Sequence, residues 1–210
     1  MQTNQQVRKD IGLFSALCLL YVAVMAMISL IYQRIVTLFQ AIRYSGNLEK
    51  IQKVTENFME RDGSYYLIAV CAGVFIFWLY RDGKLFKSDL RMQKRAMTSK
   101  TFGIVLSFLL LGQLGFVLFN QIFETIFNLF GFTMLKAVES ASAGSDSVSM
   151  FLYASFFGPV SEELIFRGAG LRTFEKYGKV FAILMSSLIF GLFHGNIPQF
   201  FFAAFVGIIF

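Results

Sequence analysis

Apolar residues in this chain gather in runs long enough for a bilayer, separated by short charged stretches. The first run, residues 11–32, matches the roughly 20 residues that a hydrocarbon core about 30 Å thick requires of a helix. It is longer than the core of a cleaved signal peptide, and no small-x-small site follows, so it reads as a retained helix. Further runs occupy residues 65–80, 102–119, 150–171 and 180–194, and a sixth opens at Gln199. Strict alternation of the β-barrel type is missing. The pattern predicts an all-α fold: a polytopic transmembrane helix bundle with five full spans plus a partial sixth.

The polar stretches give each run a direction. Residues 33–64 carry charges of both signs that nearly cancel, and Asp62-Gly63-Ser64 reads as a helix start. Trp78 and the tyrosines mark the ends of the second run as interfacial anchors. Residues 81–100 are the most basic part of the chain, with Arg81, Lys84, Lys87, Arg91, Lys94, Arg95 and Lys100. Positive loops stay on the cytoplasmic side, so this loop and the N-terminus, with Arg8 and Lys9, are expected inside. After the third run, Gln121, Glu124 and Asn128 recur near helical spacing, which suggests an amphipathic extension over 120–135. Residues 136–149 (KAVESASAGSDSVS) read as a loop on the outer face. The sixth run is about three turns long at Phe210, too short to cross, so the chain is expected to continue. Two parts result: residues 1–149, N-terminal transmembrane helices and loops, and residues 150–210, a C-terminal helical part.

Composition supports this picture. Hydrophobic residues make up 56% of the 210 positions and charged ones 15%, against about 25% charged in a soluble domain. The net charge of +6 sits beside the spans, where it sets topology, so a nucleic-acid partner is not expected. Cys18 and Cys71 lie in separate spans and read as small buried hydrophobes.

Chemistry concentrates in one stretch, FFGPVSEELIFRGAG from Phe156 to Gly170, and in the chain's single histidine, His194. Ionisable groups at membrane depth are expensive and therefore point to function. Pro159 and Ser161 stand where a helix or half-helix would begin. On that helix Glu163 and Arg167 share a face at i,i+4, so Arg167 can neutralise Glu163 and hold it. Glu162 lies about 140° round from Arg167 and stays unpaired within its helix. An unpaired carboxylate in a low-dielectric site suits a general base. Glu162 and His194 together could deprotonate a water for attack on a peptide carbonyl, and Phe190, one turn before His194, could wall the same cavity. Other readings remain open: a helix-stabilising Glu–Arg pair, an interfacial histidine, or an ion relay through the carboxylates. No HExxH occurs and one histidine is a thin ligand set, so neither a metal nor a cofactor is expected.

These residues resemble a known family. EELIFR (Glu162 to Arg167) is similar to the EExxxR motif, and FGLFH (Phe190 to His194) to the FxxxH motif, of the CPBP family of membrane proteins. That family comprises CAAX proteases and bacteriocin-processing or immunity proteins, also called the Abi family. Pro159, Gly168, Gln199 and Gly207 fit its surroundings, and the resemblance covers about residues 150–210. It implies a glutamate-dependent intramembrane endopeptidase in which Glu162 with His194 activates water and Glu163 with Arg167 supports the site. Eukaryotic members remove the tail of prenylated proteins; bacterial relatives are linked to bacteriocin maturation, self-immunity and signalling control. The implied setting is a bacterial plasma membrane, with a peptide or membrane-protein substrate. The family's third motif, a later histidine followed four residues on by Asn or Asp, is not in this sequence. Losing an oxyanion donor costs about 100–1000-fold in rate. The chain is then either a piece of a longer protease or a non-catalytic member that serves self-immunity or binds a membrane signalling partner.

Overall fold

The computed structural model describes residues 4–45, 47–89, 98–131, 133 and 147–209. Every regular element among them is helical. The chain divides into two compact units, the first from Met1–Asp89 with Gly144–Ala169 and the second from Leu90–Ala143 with Gly170–Phe210.

In the first unit, α1 (Asn4–Arg43) is one helix of 40 residues, about 60 Å long at 1.5 Å per residue. It continues well past residue 32, where the apolar run was expected to end in a loop. The reason is local: no Gly or Pro interrupts residues 13–45, and Gln, Arg, Leu and Ala keep the helix going after hydropathy falls. The mixed-charge stretch then forms α2 (Leu48–Arg61), capped by Asn47, whose side chain accepts the Lys50 N–H at 3.0 Å. Ile51 and Thr55 of α2 and Val36 of α1 are buried.

At Asp62-Gly63 the chain bends by 53° into α3 (Ser64–Tyr80), so the start signal lies where the sequence placed it. Tyr65, Ala69, Gly73 and Phe77, spaced by four, form the buried face of α3. They meet Phe14, Cys18 and Tyr21 of α1, which are also buried. Phe14 packs on Phe77 at 5.4 Å and edge-on to Phe166 at 6.3 Å, joining α1, α3 and the later helical segment in one core. Cys18 is buried as expected, but Cys71 is exposed.

The corner at Asp62 is tied to the far end of the unit's sequence. Asp62 accepts hydrogen bonds from Tyr32, from Ser64 Oγ at 2.8 Å and from Ser149 Oγ at 2.7 Å. The Gly63 N–H donates to Ser149 Oγ at 3.0 Å. Residues 136–146 of the expected outer loop lie outside the described residues, as do Arg91, Lys94 and Arg95. Val148 and Ser149, assigned to that loop, already belong to a helix.

In the second unit, α4 (Ser99–Leu129) is a single helix of 31 residues. It merges the third run with most of the expected amphipathic extension. Its aromatic residues meet α7 (Ile197–Ile209): Phe116 lies 4.7 Å from Phe202 and Phe119 4.8 Å from Phe201, ring centre to ring centre. The closest packing joins α7 to α6 (Lys179–Phe193) through glycines. A Cβ at Gly191 would stand 2.7 Å from the Phe200 carbonyl oxygen, and one at Gly207 would stand 2.7 Å from Ser187 Oγ. The turn between them uses Gly195 at φ +68° and Asn196, whose side chain accepts the Gln199 N–H at 2.9 Å. Gly191→Ala gains up to about 1 kcal/mol of helix propensity but overpacks a backbone contact at about 1–3 kcal/mol. The expected outcome is a lower melting temperature in detergent. Gly115→Ala in α4, where a Cβ meets nothing within 4 Å, is expected to leave it unchanged or raised.

Among the described residues, α1 and α4 are long and apolar enough to cross a membrane, and α2 with α3 makes a third candidate if the bent pair is one broken span. At 15 and 13 residues, α6 and α7 are shorter.

Candidate active site

The stretch that carries Glu162 is helical from residue 148 to 174 and is called α5 here, but its winding alternates. Val148–Leu152 is α, Tyr153–Phe157 is π, Gly158–Glu162 is α, Glu163–Gly170 is π and Leu171–Phe174 is α. Pro159 explains the first change. A proline inside an α-helix lacks its N–H and its ring strikes the carbonyl four residues back. Here the preceding turn is widened, with the Gly158 N–H bonded to the carbonyl of Tyr153, five residues back. An α segment begins at Gly158 with Pro159 in its first turn, as expected, but it continues the preceding π turn instead of opening a separate helix. Ser161 is buried and donates to the Gly158 carbonyl at 2.7 Å. π turns are rare and concentrate at functional sites.

The second π segment changes the angles between the charged groups. With i→i+5 bonding a turn takes more than four residues, so Glu162 and Arg167 stand closer in angle than the α-helical 140° or so. Arg167 Nη2 is 3.8 Å from Glu163 Oε1, so the two share a face as expected, at the edge of ion-pair contact. Glu163 is 62% exposed and Arg167 19%. The i,i+4 pair expected from the spacing is present, with its carboxylate end largely exposed. An exposed pair contributes about 0–1 kcal/mol. Glu163→Gln is therefore expected to leave thermal stability within about 0.5 kcal/mol. Arg167→Ala is expected to cost more, through lost packing of a mostly buried side chain. Melting of both single variants and the double variant checks this; coupling above about 1 kcal/mol would restore the tight pair.

Glu162 is half-buried and lies within direct electrostatic range of Glu163 on its own segment, of Tyr153 on α5 and of Tyr21 on α1. The two tyrosines were not singled out from the sequence. In an α-helix, nine residues put Tyr153 about half a turn away from Glu162; the π turn between them reduces that offset. Tyr21 comes from a distant helix and leaves no local signal.

His194 and Phe190 stand in the second unit, at the end of α6. His194 Nδ1 is 3.0 Å from the Phe190 carbonyl oxygen. A carbonyl only accepts, so Nδ1 carries the proton and Nε2 is the ring's basic nitrogen. The Phe190 ring packs edge-on against the imidazole at 5.0 Å, which fixes its plane. The structure thus gathers Glu162, Glu163 and Arg167 in one unit and Phe190 with His194 in the other. Among the described residues, no three His, Cys, Asp or Glu side chains gather as a metal site.

Residues 144–210 match the family model described as type II CAAX prenyl endopeptidase, Rce1-like. The match agrees with the resemblance carried by EELIFR and FGLFH and contains all five candidate residues. It spans less than half of the chain and leaves α1 to α4 unmatched. Comparison with curated proteins and with solved structures gave no match. The apolar helices and this match together make the chain a membrane protein with a CAAX-protease-like C-terminal region.

Proposed function

We propose that the chain carries the catalytic region of an intramembrane endopeptidase that cleaves a peptide or membrane-protein segment through a water activated by Glu162 and His194. The observation that carries this reading is the imidazole's fixed tautomer inside the family-matched region: Nδ1 is committed to the Phe190 carbonyl, leaving Nε2 basic. In the proposed reaction the Glu162 carboxylate takes a proton from water while His194 Nε2 orients it. The water oxygen attacks the scissile carbonyl carbon. Collapse of the tetrahedral intermediate breaks the C–N bond, and the proton passes to the departing nitrogen. Glu163, Arg167 and Phe190 support the two groups. In the same reading, five helices cross a bacterial plasma membrane with the N-terminus in the cytoplasm, and a sixth begins at α7; the basic loop over 81–100 supports that orientation.

The test is cleavage of quenched fluorescent peptides by the purified chain in proteoliposomes. One probe is farnesylated and ends in the CAAX pattern; its twin lacks the lipid. Turnover of either supports the peptidase, and preference for the first makes the prenyl group part of recognition. Binding of a peptide without turnover supports the alternative, a non-catalytic membrane protein for bacteriocin self-immunity or for a membrane signalling partner.

A further inference from the structure

The end of α1 exposes an apolar flank in a stretch of chain that is otherwise polar. The Asp62 corner meets α1 at Tyr32, through the hydrogen bond from Tyr32 to Asp62 and through the Tyr32 and Tyr65 rings, 5.7 Å apart. Beyond that level α1 runs on to Arg43, with α2 packed along it and Val36, Ile51 and Thr55 buried. At about 100° per residue, Ile35, Leu38, Phe39 and Ile42 fall in one sector about 100° wide, beside the buried Val36. All four are exposed, Leu38 by 65%, Phe39 by 69% and Ile42 by 81%. Arg34 and Arg43, also exposed, border the sector, one about 40° beyond each edge. The outer face of α2 is of the opposite kind: Glu49, Gln52, Lys53, Glu56 and Glu60 are exposed, and Gln52 donates to Glu56 at 2.8 Å.

This flank continues a longer stripe. Leu13, Leu20, Met27 and Ile31 are exposed on the same side of α1, outside the face that packs on α3. From Leu13 to Ile42 the stripe is about 44 Å long at 1.5 Å per residue. The hydrocarbon core of a bilayer is about 30 Å thick, and the bilayer with its headgroup layers about 40–45 Å. The stripe therefore outruns the core and matches the core plus headgroups. At its end stands Tyr44, with the Arg43 guanidinium 5.6 Å and the Lys50 ammonium 4.5 Å from its ring centre. An aromatic ring beside cations suits the headgroup level.

We propose that the hairpin made by the end of α1 and by α2 lies in the headgroup layer of the membrane that α1 crosses. Ile35, Leu38, Phe39 and Ile42 enter the acyl boundary, Arg34 and Arg43 reach lipid phosphates, and the polar face of α2 meets water. Lipid is the occupant because the flank is continuous with the exposed apolar side of the span and is bordered by cations. The apolar stem of an arginine stays in hydrocarbon while its head reaches a phosphate. Residues 33–61 carry five basic residues against three acidic ones, which suits an anionic lipid surface. The 53° bend at Asp62-Gly63 then turns the chain from the headgroup layer into the core, where α3 runs.

Trp78 is the single tryptophan of the chain, so the full chain with Trp78→Phe accepts one new reporter. Phe39→Trp and Leu38→Trp place it in the stripe, and Gln52→Trp places it on the outer face of α2. These positions are exposed, so the variants are expected to melt with the Trp78→Phe parent. The vesicles contain phosphatidylcholine and phosphatidylglycerol, with part of the lipid brominated close to the headgroup. Bromine is expected to quench both stripe reporters, at about 5–10 Å below the headgroup boundary, and aqueous iodide to quench them little. Gln52→Trp is expected to show the reverse. With Arg34→Gln and Arg43→Gln added, bromine quenching of the Phe39→Trp reporter is expected to fall about twofold; unchanged quenching overturns the assignment of the two arginines. Stripe reporters quenched by iodide and not by bromine overturn the proposal and place the hairpin in water. Shielding from both quenchers also overturns it, and shielding that disappears on dilution into excess lipid makes a second copy of the chain the occupant.

Discussion

Glu162→Gln is expected to abolish cleavage and leave the protein at least as stable as the wild type. Glutamine keeps the length and shape of the side chain, so the packing around Ser161, Tyr21 and Tyr153 survives. It cannot accept a proton, and a general base in this role is worth about 100- to 10,000-fold in rate. Stability moves the other way. Glu162 is half-buried, with Glu163 as its neighbour. Keeping a charge there costs desolvation and like-charge repulsion, which a neutral isostere removes. A structural carboxylate would show the opposite: lower stability, with activity falling only in proportion to folded protein. Both quantities are to be measured on one detergent preparation, as kcat on the probe and as melting temperature. Glu163→Gln, with its side chain 62% exposed, is expected to change the melting temperature little. A Glu162→Gln variant that cleaves at the wild-type rate removes Glu162 from the mechanism.

The parts of this site differ in how far the sequence reveals them. Spacing alone puts Glu163 and Arg167 on one face, and Nη2 does lie 3.8 Å from Oε1. Hydropathy locates the apolar cores of α1, α3 and α4, because bilayer thickness imposes a length. It does not locate helix ends: α1 runs to Arg43 and α4 to Leu129, where propensity continues after the apolar run stops. Burial is misread for a related reason. Cys71 was expected inside because it is small and apolar, yet it is exposed. Lipid outside a bundle is as apolar as its core, so polarity does not tell the two faces of a span apart. The π winding on either side of Gly158–Glu162 is the least legible feature, since its only mark is Pro159. It is also what brings Tyr153 round toward Glu162.

Gly63→Ala is expected to be among the most damaging changes outside the carboxylate itself, although Gly63 is far from it in sequence. A Cβ at Gly63 would stand 2.5 Å from both the nitrogen and the Cα of Met150, and 2.7 Å from the Ser149 carbonyl carbon. These are backbone atoms in the first turn of α5, held by the Ser147 side chain, which accepts the Met150 N–H at 3.1 Å. They cannot rotate aside as a side-chain tip would. The added methyl must separate α3 from α5, lengthening the 3.0 Å bond from the Gly63 N–H to Ser149 Oγ and straining the 2.7 Å bond from Ser149 to Asp62. Overpacking of this kind costs about 1–3 kcal/mol, and losing the hydrogen bonds adds about 1 kcal/mol each. Ser149→Ala removes only the bonds and leaves the spacing, so its loss is expected to be the smaller of the two. The order of melting temperatures, Gly63→Ala below Ser149→Ala below wild type, checks the assignment; the reverse order would make the hydrogen bonds, not the close approach, the tie. Activity adds a second reading. Displacing the start of α5 shifts the segment that carries Glu162, and a misplacement of about 1 Å can cost about 100-fold in rate. Gly63→Ala is therefore expected to lose turnover even well below its melting temperature, where the folded fraction is still complete.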